Sequence, residues 1–326
     1  MTQLVGHRAA SAAFAEAVTG NALHHAWLLV GPEGVGKARF ARAAATRLLA
    51  EGARPGMLGA TLDVPADHPT ARLMAAGSHP DFRTLERLAN PRKEGELLRS
   101  IGVDQVRALG PMLMTRPSMG PARAIVIDAV DDLAREGANA LLKNLEEPPA
   151  GTVFLLVSHA PGRLLPTIRS RCRPLRFATL PDKEVAQVLS AELPEADRDE
   201  ISGLVRAGEG SPGKALRFAG LDVAGMEAAL ARIADSGDPD ARQRAELAKA
   251  LSTKAAQPRY EAFLERAPGF IAAHARNRGG EELVKAIDAY EAALALAASA
   301  RQLSLDVTST VWEMAGLVAR LAPAHR

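Results

Sequence analysis

The chain has 326 residues, of which 47% are hydrophobic and 24% charged, and its formal net charge is +2. At about 150 residues per domain this length predicts two or three domains, and the composition is that of a chain with an ordinary buried core. The near balance of charge argues against a freestanding DNA-binding domain, because such domains carry a strongly basic face.

Cysteine usage and the N-terminus indicate the compartment. Cys172 is the only cysteine, which excludes an intramolecular disulfide and a four-cysteine zinc site and fits a reducing cytoplasm. The first residues show no basic stretch followed by an apolar core, so we expect no signal peptide. No run of about 18 uncharged apolar residues appears, so we expect no membrane span. The sequence therefore predicts a cytoplasmic protein without a membrane partner.

Three continuous apolar runs predict strands in the first half of the chain, at residues 26–30, 124–127 and 153–157. Continuous rather than alternating apolar runs are typical of a parallel sheet that helices cover on both faces. Between the last two runs, apolar residues recur at helical spacing, at Ala138, Leu141, Leu142 and Leu145. The order strand, helix, strand predicts an α/β domain with right-handed crossovers.

After Leu180 only helical patterns are apparent, interrupted by Gly-rich residues 208–213 and by the segment 235–239. We therefore predict three domains: an α/β domain over residues 1–178, a small helical domain over 179–235 and a second helical domain over 236–326. The Gly- and Pro-rich stretch 52–70 is predicted to be a loop or an insertion.

A phosphate-binding loop is predicted directly after the first strand. Gly31, Gly34, Gly36 and Lys37 lie in the sequence GPEGVGKA, between a predicted strand and a predicted helix. The glycines let backbone N–H groups surround a phosphate, and the lysine would reach the outer phosphates. Ala38 occupies the position at which a Ser or Thr hydroxyl should bind Mg²⁺.

The strand at 124–127 is followed by the acidic half of such a site. Asp128 stands at the metal-binding position, but Ala129 stands where many phosphate-loop ATPases carry the glutamate that polarises the attacking water. Asp131 and Asp132 could substitute for that glutamate, but we expect them to cap the next helix instead. Two polar groups needed for hydrolysis are missing together, which indicates an inactive site.

Several motifs in the same order resemble one family. They are HAWLLVGPEGVGKA (25–38), IGVDQVRAL (101–109), NALLKNLEEPP (139–149), TIRSRC (167–172) and GSPGKAL (210–216). This set, from about residue 4 to 216, resembles the clamp-loader group of AAA+ ATPases, the gamma/tau and delta-prime subunits of bacterial DNA polymerase III. The resemblance implies a RecA-like AAA+ domain, a helical lid and a helical collar through which subunits assemble.

The resemblance also assigns a role to Arg171. In this family the arginine of the Ser-Arg-Cys motif is presented across a subunit interface to ATP that the neighbouring subunit binds. A guanidinium suits this role because it is planar and always charged, and its N–H groups match the oxygens of a phosphate. Gly213 and Lys214 stand where gamma/tau subunits carry a nucleotide-sensing Arg and its neighbour. Ser158 or His159 stands where a γ-phosphate sensor is expected. Arg169, Arg173 and Arg176 are interpreted as solvated, and Cys172 as a buried packing residue.

The resemblance implies a subunit that joins delta and gamma/tau in a hetero-pentamer, places Arg171 against a neighbour's ATP, and helps load the sliding clamp on primed DNA. No ATPase activity of its own and no cofactor are expected. Family members often carry a zinc module, but here only His68 and His79 occupy that region, so we expect no zinc. Two alternatives stay open: an ATP-hydrolysing, gamma/tau-like subunit, and a subunit that holds ATP or ADP without turnover.

Overall fold

The computed structural model describes residues 4–20, 23–53, 56, 58–59, 61–93, 95–276 and 278–323. The chain divides into two compact units. The first consists of Met1–Glu192 with Gly210–Gly213, and the second of Leu193–Glu209 with Lys214–Arg326. The finer division into three domains stays a prediction.

The first unit is built on a parallel sheet. Its strands are β1 (Ala26–Val30), β2 (Phe82–Glu86), β3 (Arg123–Asp128), β4 (Thr152–Ser158) and β5 (Arg173–Arg176). They lie in the order β2-β3-β4-β1-β5, and every neighbouring pair is parallel. The three predicted strands are the three central ones, and their near-complete burial explains their unbroken apolar sequence.

Eight helices belong to the described part of this unit. They are α1 (Arg8–Thr19), α2 (Lys37–Ala53), α3 (Pro69–Ala75), α4 (Val103–Arg107), α5 (Gly110–Leu113), α6 (Arg135–Glu146), α7 (Pro166–Arg169) and α8 (Asp182–Glu192). Short 3₁₀ turns lie at Val130–Asp132 and Pro161–Arg163. The helix predicted between the second and third apolar runs is α6, which ends just before Pro148 because proline cannot continue it.

Alternate residues of the central strands enter two separate cores. Trp27 and Leu29 of β1 pack in one apolar cluster with Phe14 of α1 and Phe40 of α2. Leu28, from the same strand, packs in the other cluster, which α4, α6 and α7 complete. This is the two-sided packing expected of a parallel sheet, and it confirms the predicted α/β class.

The second unit is helical throughout its described residues. Its helices are α9 (Arg198–Gly208), α10 (Pro212–Arg217, which begins in the first unit), α11 (Val223–Ser236), α12 (Arg242–Leu251), α13 (Gln257–Ala275), α14 (Gly280–Leu303) and α15 (Val307–Ala319). Buried alanines line one face of α14, at Ala286, Ala289, Ala293, Ala297 and Ala300. Such small side chains permit close approach to the neighbouring helices α13 and α15. None of the helices described in either unit is long and apolar enough to cross a bilayer.

Candidate functional site

The phosphate-binding loop lies where the sequence predicts it, between the end of β1 and the start of α2. Gly34 and Gly36 have φ values of 75° and 103°, in the left-handed region that favours glycine. At Gly31 a Cβ atom would lie 2.2 Å from the carbonyl oxygen of Phe177, so no side chain fits there. The Nε2 of His7 donates to the Val35 carbonyl over 2.7 Å, a contact within the site that sequence analysis did not identify.

The lysine of this loop contacts the loop itself. The Nζ of Lys37 donates to the Gly31 carbonyl over 2.6 Å and also to the Pro32 carbonyl. The side chain is only 2% exposed. Burial lowers the Lys37 pKa to about 8, and the nearby carboxylates of Asp128, Asp131 and Glu33 offset part of that effect. The cationic group is thus held within the loop by backbone carbonyls.

Backbone from residues 210–213 packs on the phosphate-binding loop. The Gly213 N–H donates to the Gly34 carbonyl over 2.9 Å, and the Ser211 hydroxyl donates to the Glu33 carbonyl over 2.8 Å. A Cβ atom on Gly213 would lie 2.7 Å from the Gly34 Cα. Position 213, where the resemblance expects a sensing arginine, therefore has no room for one. Lys214 forms an ion pair with Glu209 at 2.6 Å.

The carboxylate predicted to bind a metal lies at the end of β3. Asp128 lines a cavity of about 360 Å³ together with Glu86, Ala129, Asp132 and His159. Burial raises the Asp128 pKa, while His159 and Lys37 lower it and Glu86 and Asp132 raise it further. Because residue 38 is alanine, a metal ion at Asp128 would receive no hydroxyl ligand from that position, so the residues present fit Mg²⁺ poorly. Ala129 likewise offers no carboxylate to polarise a water molecule.

Asp131 has a role that the sequence analysis did not predict. Its carboxylate accepts the Ser158 hydroxyl at 2.9 Å, the His159 N–H at 2.6 Å and the Ala160 N–H at 3.3 Å. It therefore fixes the end of β4 rather than a helix terminus. Of the two proposed γ-phosphate sensors, Ser158 is fully buried and bonded to Asp131, whereas His159 is exposed and lines the cavity.

The prediction that Asp131 and Asp132 cap the next helix was wrong. A 3₁₀ turn at Val130–Asp132 places them before that helix, and α6 begins after Ala134, whose methyl group cannot cap it. Asp132 instead forms an ion pair with Arg87 at 3.1 Å. The sequence pattern was misleading because the partners of both carboxylates lie far along the chain.

Arg171 lies between α7 and β5 with 34% of its side chain exposed. Its Nη2 forms an ion pair with Glu146 Oε1 at 2.8 Å, and its Nη1 donates hydrogen bonds to the Thr167 carbonyl at 3.0 Å and to the Ser170 hydroxyl at 3.4 Å. The guanidinium is therefore oriented by its own chain while part of it stays accessible. Glu146, at the end of α6, is a residue that the sequence analysis had not singled out.

Cys172 and Arg173, which follow Arg171 in the chain, both have packing roles. Cys172 is buried, and burial raises the pKa of its thiol to about 12, as expected of a packing residue rather than a reactive thiol. The Arg173 guanidinium lies 4.8 Å from the ring centre of Trp27, so this arginine has a packing role beyond the solvated one expected.

The region expected to lack zinc contains two histidines with local partners. His68 Nδ1 accepts the Thr70 N–H at 3.2 Å, and His79 Nδ1 accepts the Asp81 N–H at 3.2 Å. Over the residues that the structure describes, no group of three or more His, Cys, Asp or Glu side chains is arranged to hold a metal ion. Residues 54, 55, 57 and 60 of the predicted loop lie outside the described residues.

Comparison with known proteins assigns the family. The family model described as DNA polymerase III, delta subunit, matches residues 6–181, more than half of the chain. The chain belongs to this family of DNA polymerase III subunits. The matched range includes the phosphate-binding loop, the acidic end of β3 and Arg171. The family resemblance inferred from the motifs is therefore confirmed.

Individual relatives agree with the family assignment. The chain is 38% identical to a DNA polymerase III subunit delta' of Pseudomonas aeruginosa over 63% of this chain and 58% of that protein. It is 41% identical to the Escherichia coli subunit delta' over 44% of this chain and 41% of the relative. A tau/gamma subunit of Haemophilus influenzae is 29% identical over 64% of this chain and 28% of the relative. The match thus spans about half the length of the delta' relatives.

Proposed function

We propose that this chain is a non-hydrolysing delta-prime subunit of the bacterial clamp loader that supplies Arg171 to ATP bound by a neighbouring subunit. In this proposal it assembles in the cytoplasm with delta and gamma/tau in a hetero-pentamer, and the complex loads the sliding clamp on primed DNA. The relatives named delta' and tau/gamma support the choice of partners.

One observation carries the proposal: the chain keeps an oriented, accessible Arg171 but lacks the groups that hydrolysis would require of its own site. Ala38 and Ala129 offer no oxygen for metal or water, and the Lys37 ammonium is bonded to carbonyls of its own loop. An arginine acting in trans stabilises charge on the transferred phosphoryl group and is worth about 10³–10⁵-fold in rate. That contribution requires no nucleotide chemistry in the subunit that donates it.

The test is the ATPase rate of reconstituted complexes. Complexes of delta, gamma/tau and this chain would be prepared with the wild-type subunit, with Arg171→Ala and with Arg169→Ala as a neighbouring control. We expect Arg171→Ala to lower the clamp- and DNA-stimulated rate by about tenfold or more at the site it serves, with complex assembly intact. Arg171→Lys keeps the charge but not the planar fork, and should also lower the rate.

The isolated subunit provides the second part of the test. We expect it to hydrolyse no ATP. Turnover that disappears in Lys37→Met would refute the proposal in favour of an ATPase of the gamma/tau type. Tight ATP or ADP binding without turnover would identify a static ligand. An unchanged rate in Arg171→Ala complexes would refute the role of this residue in trans.

A further inference from the structure

We propose that Glu146 is a positioning residue for Arg171, holding its guanidinium in the orientation that meets the neighbour's phosphates. The inference rests on the proposed function and extends it to a second residue of this chain. It starts from the 2.8 Å contact between Glu146 Oε1 and Arg171 Nη2, which joins the last residue of α6 to the segment after α7.

The backbone on both sides of this ion pair is anchored in the core. Leu145 immediately precedes Glu146 and is 1% exposed, and Cys172 immediately follows Arg171 and is 7% exposed. Both belong to one apolar cluster, together with Ile168 of α7. Because these neighbours belong to one apolar cluster, the two charged side chains extend from the same buried core.

The guanidinium is held on two sides and accessible on another. Nη1 donates hydrogen bonds to the Thr167 carbonyl and the Ser170 hydroxyl, and Nη2 forms the ion pair with Glu146. A guanidinium has five N–H donors in one plane, so the two Nη1 hydrogen bonds and the Nη2 ion pair restrict the orientation of that plane, while the Nε donor has no hydrogen-bond acceptor among the described residues. A reacting phosphoryl group needs donors that are oriented before it arrives, since small displacements lower the rate steeply.

Stability does not account for a carboxylate at this place. The C-terminal end of a helix carries partial negative charge, so a glutamate at the last residue of α6 is disfavoured there. The pair is also open to solvent, with side-chain exposures of 34% for Arg171 and 48% for Glu146, and such surface pairs contribute little to folding. A role in orienting Arg171 explains why a carboxylate occupies this position.

The experiment compares Glu146→Gln with Glu147→Gln, the adjacent exposed glutamate, in the reconstituted complex. We expect Glu146→Gln to lower the stimulated kcat by about threefold or more with an unchanged KM for ATP, because Arg171 stabilises the charge on the phosphoryl group in the transition state more than it stabilises bound ATP. Glu147→Gln should leave both constants at the wild-type value. Glu146→Asp, which keeps the charge, should restore part of the rate.

A double-variant cycle separates positioning from a structural effect. If Glu146 acts through Arg171, Glu146→Gln should cause no further loss in a complex that already carries Arg171→Ala. An equal loss in both backgrounds, a rate above wild type, or no difference from Glu147→Gln would overturn the inference. A slow Arg171→Ala complex together with a normal Glu146→Gln complex removes only this inference, whereas a normal Arg171→Ala complex removes the proposed function itself.

Discussion

Replacing Lys37 with methionine should stabilise the protein at neutral pH. The Lys37 pKa falls from 10.5 to about 8 on burial, so protonated lysine is disfavoured in the folded state. At about 1.4 kcal/mol per pKa unit, this shift corresponds to about 3 kcal/mol of lost stability at pH 7. Methionine removes that cost but leaves the Gly31 and Pro32 carbonyls without their donor, at about 1 kcal/mol each. The net gain is therefore about 1 kcal/mol.

The pH dependence of the free energy of unfolding shows whether the buried charge of Lys37 destabilises the folded protein. Between about pH 8 and 10.5 the unfolded chain binds the Lys37 proton more tightly than the folded chain does, so the free energy of unfolding should rise with pH across this window. The penalty is complete below the folded-state pKa and absent above the unfolded-state value. Lys37→Met should lack this rise, so its advantage of about 1 kcal/mol over wild type should disappear near pH 9 and be reversed by about pH 10.

Urea denaturation followed by circular dichroism near pH 7 and near pH 10 measures both quantities. Lys143→Met, at an exposed position of α6, is the matched control and should stay within about 0.5 kcal/mol of wild type. If Lys37→Met is no more stable than wild type at pH 7 and keeps the pH slope of the Lys143→Met control, burial of an unfavourable charge in this loop is refuted.

Three further experiments test contacts in and around the candidate site. Asp131→Ala should lower the free energy of unfolding by about 3 kcal/mol in urea denaturation, because it leaves the buried Ser158 hydroxyl and two N–H groups without their acceptor. Asp132→Ala breaks only an ion pair at the surface and should lower it by less than about 1 kcal/mol. Equal losses in the two variants would contradict the role assigned to Asp131. Gly213→Ala should lower the melting temperature, because the added Cβ would lie 2.7 Å from the Gly34 Cα. The expected loss in the free energy of unfolding is about 1–3 kcal/mol. An unchanged melting temperature would show that this contact is not formed. Cys172 should react with a thiol reagent at pH 8 only after unfolding, because its pKa is raised to about 12, and rapid reaction of the folded protein would exclude burial.

The central part of the fold could be predicted from the sequence because burial on both faces leaves an unbroken apolar signature. The strands β1, β3 and β4 carry that signature, and each was predicted within two residues. The edge strands β2 and β5 were not predicted. Their sequences, FRTLE and RPLR, carry charged side chains because an edge is open to solvent, and only tertiary pairing makes them strands.

The candidate site was predicted where its residues are contiguous in sequence. The loop from Gly31 to Lys37 and the strand ending at Asp128 were found by their motifs. The partners of Asp131 and Arg171 were not found, since Ser158 lies 27 residues from Asp131, and Glu146 ends α6 whereas Arg171 lies in the turn between α7 and β5. Single-sequence patterns report neighbours along the chain, and these contacts depend on how helices and strands pack.

The contact between Gly213 and Gly34 also limits how this site could be re-engineered. Under the proposed function, an ATP-hydrolysing version would need an oxygen-bearing residue at 38, a glutamate at 129 and the arginine that the resemblance expects at 213. A side chain at 213 meets the backbone of the phosphate-binding loop first, because even a single added carbon would lie 2.7 Å from the Gly34 Cα. Building such a site therefore requires a different backbone path at residues 210–213, and side-chain replacement alone is not enough.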